Sequence, residues 1–259
     1  MLEPKAKKLA AFFADALEDI TGGAEEKSED NKAKIRLLIK KLKAETNDLS
    51  KVSKPDLNAL YAATDKSLDI IQNGFKATYP QLKTIAGSGG FVSRQRRLEL
   101  RAMLGDSVEL ALSELGENLN DTLQKNLEGE VEFGATMKTL RDYVTTFSDY
   151  ETSRFYRLAI TEATAVAGAS TYFASEDLKA LGVEVTEFQW VTESDDRVRT
   201  EHAAMNGVRV KYGEKFKVGS TELLYPADQS NILGKENGKD RLNAMKQAAN
   251  CRCDIVPII

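Results

Sequence analysis

The stretch VEVTEFQWVTE (Val183–Glu193) decides how the chain is read. It is rich in β-branched and aromatic residues and predicts a strand. Apolar residues before it recur every three or four positions, the spacing of helices. After it, short β-rich pieces alternate with short helical ones. The expected fold class is therefore α+β: a long, elongated helical N-terminal region to about residue 182, followed by a small α+β C-terminal domain. The boundaries expected are 1–85 for a helical N-terminal region, 86–150 for a long-helix connector and 151–259 for the C-terminal domain.

Working upstream, ETSRFYRLAITEATAVAGASTYFASEDLKALG (Glu151–Gly182) predicts a helix closed by Gly182. GATMKTLRDYVTTF predicts a separate helix, after a turn at 129–134. A long helix is predicted from Val92 to Leu127, with Leu100, Leu104, Val108, Leu112, Leu115, Leu119, Leu123 and Leu127 in its apolar stripe. AGSGGF (Ala86–Phe91) reads as a hinge; no Gly-Lys-Ser/Thr follows it, which excludes a phosphate loop. The segment SKPDLNALYAATDKSLDIIQNGF opens with Pro55 near the first helical position, where a missing N–H costs little. KIRLLIKKLKAE carries a stripe of Ile35, Leu38, Ile39 and Leu42. At the N-terminus, Leu9, Phe12, Phe13, Ala16, Leu17 and Ile20 fall at helical spacing, and Asp15 interrupts the apolar patch. That favours an amphipathic helix over a signal peptide, with a break at Gly22–Asn31.

Downstream, DDRVRTEHAAMNG (Asp195–Gly207) predicts a short helix capped by Asp195 or Asp196 and stopped at Asn206-Gly207. VRVKYGEKFKVGSTELLYP predicts one or two short strands, DRLNAMKQAAN a helix, and CRCDIVPI a strand.

Of the 259 residues, 42% are hydrophobic and 29% charged, with a net charge of −4. No apolar run approaches the roughly 20 residues a membrane-spanning helix needs, so no membrane partner is expected. With no export signal, folding in a reducing cytoplasm is expected, where thiols stay reduced or bind metal. The acidic balance gives no support to nucleic-acid binding. The one basic run, SRQRRLELR (Ser93–Arg101), offers Arg94, Arg96 and Arg97 as contacts to packaged DNA, or forms the solvated face of a helix.

The only cysteines are Cys251 and Cys253, one residue apart. On a strand both side chains share a face. Their Cα atoms would then lie roughly 6.6 Å apart, which makes a disulfide the poorest reading. Two readings stay open. The pair could give two corners of a zinc site with the single histidine, His202, and a carboxylate such as Asp196 or Asp228. Or it could be two buried thiols beside a hydrogen-bonded imidazole. No catalytic residue is assigned, and zinc is the one cofactor these residues would accommodate.

Asp196, Arg199 and His202, spaced by three, would share one face of a short helix. They could serve acid/base work, but a buried structural network uses the same residues. In that network Arg199 is expected to pair with Glu162 or Asp196 and to lock the 195–206 helix in place.

Taken in order, RLAITEATAVAGAS, Trp190, DDRVRTEH, Gly207, Phe216, LYPAD, NCRC and Pro257 resemble the C-terminal domain of the phage Mu F-like minor head proteins, the phage head morphogenesis family. The resemblance covers roughly residues 150–259. Ile160 stands where the family often has an arginine, and MNG where an acidic residue is more usual. The resemblance implies a structural minor capsid protein of a tailed phage or prophage, a virion component at the portal vertex or capsid interior. Its implied partners are the portal protein and the major capsid protein, and it would be assembled in the host cytoplasm for head assembly or genome delivery. The rival reading is a zinc-dependent hydrolase or deaminase. HAA and CRC stand where a deaminase would carry His-x-Glu and Cys-x-x-Cys, and the metalloprotease His-Glu-x-x-His is missing.

Overall fold

The computed structural model describes residues 51–80, 82, 90–132, 137–230 and 238–259, with scattered residues between 5 and 48. The expected stripe 35–42, most of the N-terminal stripe, the break at 22–31 and most of the 86–91 hinge lie outside the described residues. Among the elements that are described, three long helices come first: α1 (Lys54–Thr78), α2 (Arg94–Glu132) and α3 (Met137–Ala180). Then follow β1 (Glu187–Val191), α4 (Thr200–Ala203), β2 (Arg209–Lys211), β3 (Phe216–Val218), β4 (Thr221–Leu223), α5 (Gly238–Ala248) and β5 (Asp254–Ile258). The class is α+β, and the change of texture falls where Val183 predicts it. Among the described residues, no helix is long and apolar enough to cross a membrane.

Two compact units form. One holds Met1–Asp56 and Val108–Ala159, the other Leu57–Ser107 and Ile160–Ile259. In the first unit, Ser53 and Asp56 cap the start of α1 reciprocally. Ser53 N–H donates to Asp56 Oδ2 (3.0 Å), and Asp56 N–H donates to Ser53 Oγ (3.3 Å). Lys8 pairs with Asp48 at 2.9 Å. Val108 and Leu112 are fully buried.

The second unit carries the sheet. Strands run in the order β2-β1-β5, both pairings antiparallel, and β3-β4 is a separate hairpin closed by Gly219-Ser220. Phe188 and Trp190, on the central strand, are wholly buried; Trp190 meets Phe216 edge-on at 5.2 Å, and Phe188 stacks on Tyr172 of α3 at 5.1 Å. The face of α3 that meets the loop after β4 is built of small residues. A Cβ on Gly168 would stand 3.0 Å from both Pro226 O and the Tyr225 ring, so only glycine permits this approach without displacement.

Gly182 ends α3 as expected, at φ +86°. Val183 N–H reaches Leu178 O (3.1 Å) and Gly182 N–H reaches Lys179 O (3.0 Å), the paired bonds of a left-handed helix cap.

Three expectations are corrected. The two helices read between residues 135 and 182 are one helix of 44 residues, since no Gly or Pro stands between Met137 and Ala167 to break it. The 195–206 helix is only Thr200–Ala203; residues 195–198 form a turn, because Asp195 is drawn to a distant partner described below. Residues 208–226 hold three short strands rather than one or two.

Within the basic run Arg94 is exposed, while Arg96, Arg97 and Arg101 are half-buried in ion pairs. Arg96 pairs with Glu176 (3.1 Å) and Asp177 (3.5 Å) and lies over the Phe173 ring. Arg97 pairs with Asp69 (2.7 Å) and Asp65 (3.5 Å), and Arg101 with Asp65. These ion pairs tie α2 to α1 and α3 within the second unit.

Candidate functional site

The two cysteines stand just before β5, not on it. Asn250, at φ +52°, turns the chain out of α5 in the left-handed conformation that Asn tolerates better than most residues. Its N–H donates to Thr161 Oγ1 (2.7 Å), and Thr164 Oγ1 donates to Cys251 O (2.5 Å). One face of α3 thus grips the backbone on both sides of the turn. Arg252 points away from the cysteines and holds Asp195 with both guanidinium nitrogens, at 2.7 and 2.6 Å. Cys251 and Cys253 therefore turn inward together; both are buried and free.

His202, carried on α4, meets them. Its Nδ1 lies 3.4 Å from Cys253 Sγ and 3.5 Å from Cys251 Sγ. Its Nε2 lies 2.9 Å from Gln247 Oε1. The Gln247 amide nitrogen donates to Glu201 Oε2. A carboxylate only accepts, so this bond fixes which way the amide faces. Gln247 Oε1 must then accept from a protonated Nε2, and the Nδ1 lone pair is left facing the two sulfurs. The hydrogen bond between the cysteines pulls the Cys251 thiol well down and pushes Cys253 up. The Trp190 indole packs edge-on to His202 at 5.7 Å, and its Nε1–H, buried without a nitrogen or oxygen partner, favours charge on Cys253.

The expected polar network takes a different form. Arg199 pairs with neither Glu162 nor Asp196. It donates to Ala249 O (2.6 Å) and Gln247 O (2.9 Å), the free carbonyls at the end of α5, where a helix leaves acceptors unsatisfied and favours positive charge. Asp196 is exposed, and its neighbour Asp195 takes the ion pair. Glu162 is buried and accepts from Gln229 Nε2 (2.9 Å), with its Oε2 unpartnered. Burial pushes its carboxyl up to about 7, against that hydrogen bond. Asp228, the other candidate fourth ligand, is spent on its own loop, accepting from Leu224 and Ser230 N–H at 2.9 Å each. Among the described residues, the cluster able to hold a metal ion is His202, Cys251 and Cys253.

Glu201, Gln247, Trp190, Thr161, Thr164 and the Asp195–Arg252 pair were not legible as parts of this site. Glu201 and Arg252 adjoin site residues in sequence, but the hydrogen-bonded partners they and the others meet lie 45 to 89 residues away, and no short-range spacing announces those pairings.

A family model described as phage Mu protein F like protein matches residues 121–256, rather more than half of the chain. No curated protein and no solved structure matches.

Proposed function

The chain belongs to the phage Mu protein F like family, whose members are structural phage head morphogenesis proteins, and from that premise we propose that it is a minor capsid protein of a tailed phage or prophage, placed at the portal vertex or capsid interior. The family match over residues 121–256 carries this reading. In it, the chain acts in head assembly or genome delivery and touches the portal protein, the major capsid protein or both. The C-terminal α+β domain is the rigid module, and the helical segments 1–85 and 86–150 supply the partner contacts.

The arrangement of side chains supports a scaffold rather than an enzyme. Glu201, which precedes His202 in the chain, accepts from Gln247, and Arg199 is committed to helix carbonyls. A contact with packaged DNA through Arg94, Arg96 and Arg97 has less support, since Arg96 and Arg97 already satisfy acidic partners. Salt-sensitive DNA binding by the purified chain would restore it.

The test is genetic and biochemical together. Deleting the gene from its phage or prophage should leave heads that fail to package or deliver DNA. Co-expression with the portal protein should give a complex that survives gel filtration. A normal yield of filled, infectious heads after deletion would overturn the proposal.

A further inference from the structure

We propose that His202, Cys251 and Cys253 bind one zinc ion, which staples α4 to the 251–253 turn. The distances carry the case. For zinc–nitrogen and zinc–sulfur bonds of about 2.05 and 2.3 Å at a tetrahedral angle, nitrogen and sulfur stand about 3.5 Å apart. His202 Nδ1 stands 3.4 and 3.5 Å from the two sulfurs, and all three ligand atoms lie within 4.8 Å of one another. A single imidazole lone pair faces both sulfurs, although it can accept a hydrogen bond from only one thiol at a time. A metal ion at the centre uses all three donors.

The surroundings are those of a supported metal ligand. Gln247 holds the far ring nitrogen, and Glu201 holds Gln247, the relay of hydrogen bonds that orients a ligating histidine. The Trp190 Nε1–H, buried without a nitrogen or oxygen partner, favours charge on Cys253, and the Trp190 ring flanks the imidazole. Two thiolates and a dication sum to zero, which removes the cost of burying unbalanced charge. Soft sulfur with imidazole selects zinc over magnesium or calcium. Binding requires both sulfurs as thiolates and displaces whatever proton they still hold, so affinity rises with pH. Among the described residues no further Cys, His, Asp or Glu joins the cluster, and the fourth position falls to water. The role assigned to the ion is structural, joining α4 to the turn that enters β5.

The full chain, purified reduced and without a polyhistidine tag, should carry one zinc by elemental analysis. After metal removal it should take up one cobalt(II), with the intense visible bands of a tetrahedral ion and thiolate charge transfer in the near ultraviolet. Added zinc should raise its Tm. Cys253→Ser should lose the charge-transfer intensity attributable to its sulfur. Because that variant could misfold, Gln247→Leu provides a second arm: all three ligands remain, so the one-to-one stoichiometry should persist while affinity weakens about 10- to 100-fold. A reduced chain that takes up no stoichiometric metal, shows no charge-transfer band and has a Tm unmoved by zinc or chelator would overturn the proposal. So would cobalt spectra unchanged in Cys253→Ser.

Discussion

Arg252 grips Asp195 through both of its terminal nitrogens, at 2.7 and 2.6 Å, across 57 residues of sequence. Arg252 stands between the two cysteines, so this pair faces one side of the turn outward and sends Cys251 and Cys253 inward. It also takes Asp195 out of the helix it was expected to cap.

The Arg252 guanidinium holds the Asp195 carboxyl well below its ordinary value of 3.8. A carboxylate with a depressed folded-state pKa stabilises the fold above its unfolded pKa and loses that contribution as pH falls through the folded one. Arg252→Ala should therefore melt below the wild type at pH 6, and the gap should close as pH drops below about 4. Melting curves across that range check this; a gap constant down to pH 2 would remove the ion pair from the account.

Arg199 closes α5 by donating to two of its final carbonyls. Hydrogen bonds to a charged group contribute about 1.5–3 kcal/mol, so Arg199→Ala should lower unfolding stability by that order. Arg199→Lys should recover less than half, because a single ammonium lacks the fork that reaches both acceptors. Chemical denaturation of the three proteins measures it, and full rescue by lysine would show that charge alone matters at this position.

Glu162 behaves in the opposite sense to Asp195. Its carboxyl is raised from 4.5 to about 7 by burial. The folded chain therefore holds a proton that the unfolded chain has released between those values, and stability falls as pH rises from about 4.5 to 7. The full effect is on the order of 3 kcal/mol. Glu162→Gln keeps the shape and discards the titration, so it should flatten that slope and be the more stable protein at pH 8. An unchanged slope would place the titrating group elsewhere.

The local features were legible in the sequence. Helical spacing ended at Gly182 and β-branched residues began at Val183, and the structure turns from α3 to β1 there. Pro55 marked a helix start, where α1 begins at Lys54, and Gly207 marked a turn that the structure holds at φ +80°. Each of these depends on backbone geometry over about four residues, so the chain carries it whatever the rest of the fold does.

Pairing was decided elsewhere. Nothing near Arg199 indicated that α5 would place two bare carbonyls beside it, and an acid only three residues away lost to them. Asp195 and Asp196 are identical side chains in adjacent positions, yet one reaches Arg252 and the other faces water. Likewise, the direction of the His202 lone pair follows from Gln247 and Glu201, which are 45 and 46 residues from the partners they hold. The sequence by itself determined which segments are helix or strand and which side chains share a face. Only the tertiary structure decided which donor meets which acceptor, because a buried polar group is satisfied by whatever the packing of distant elements brings within about 3 Å.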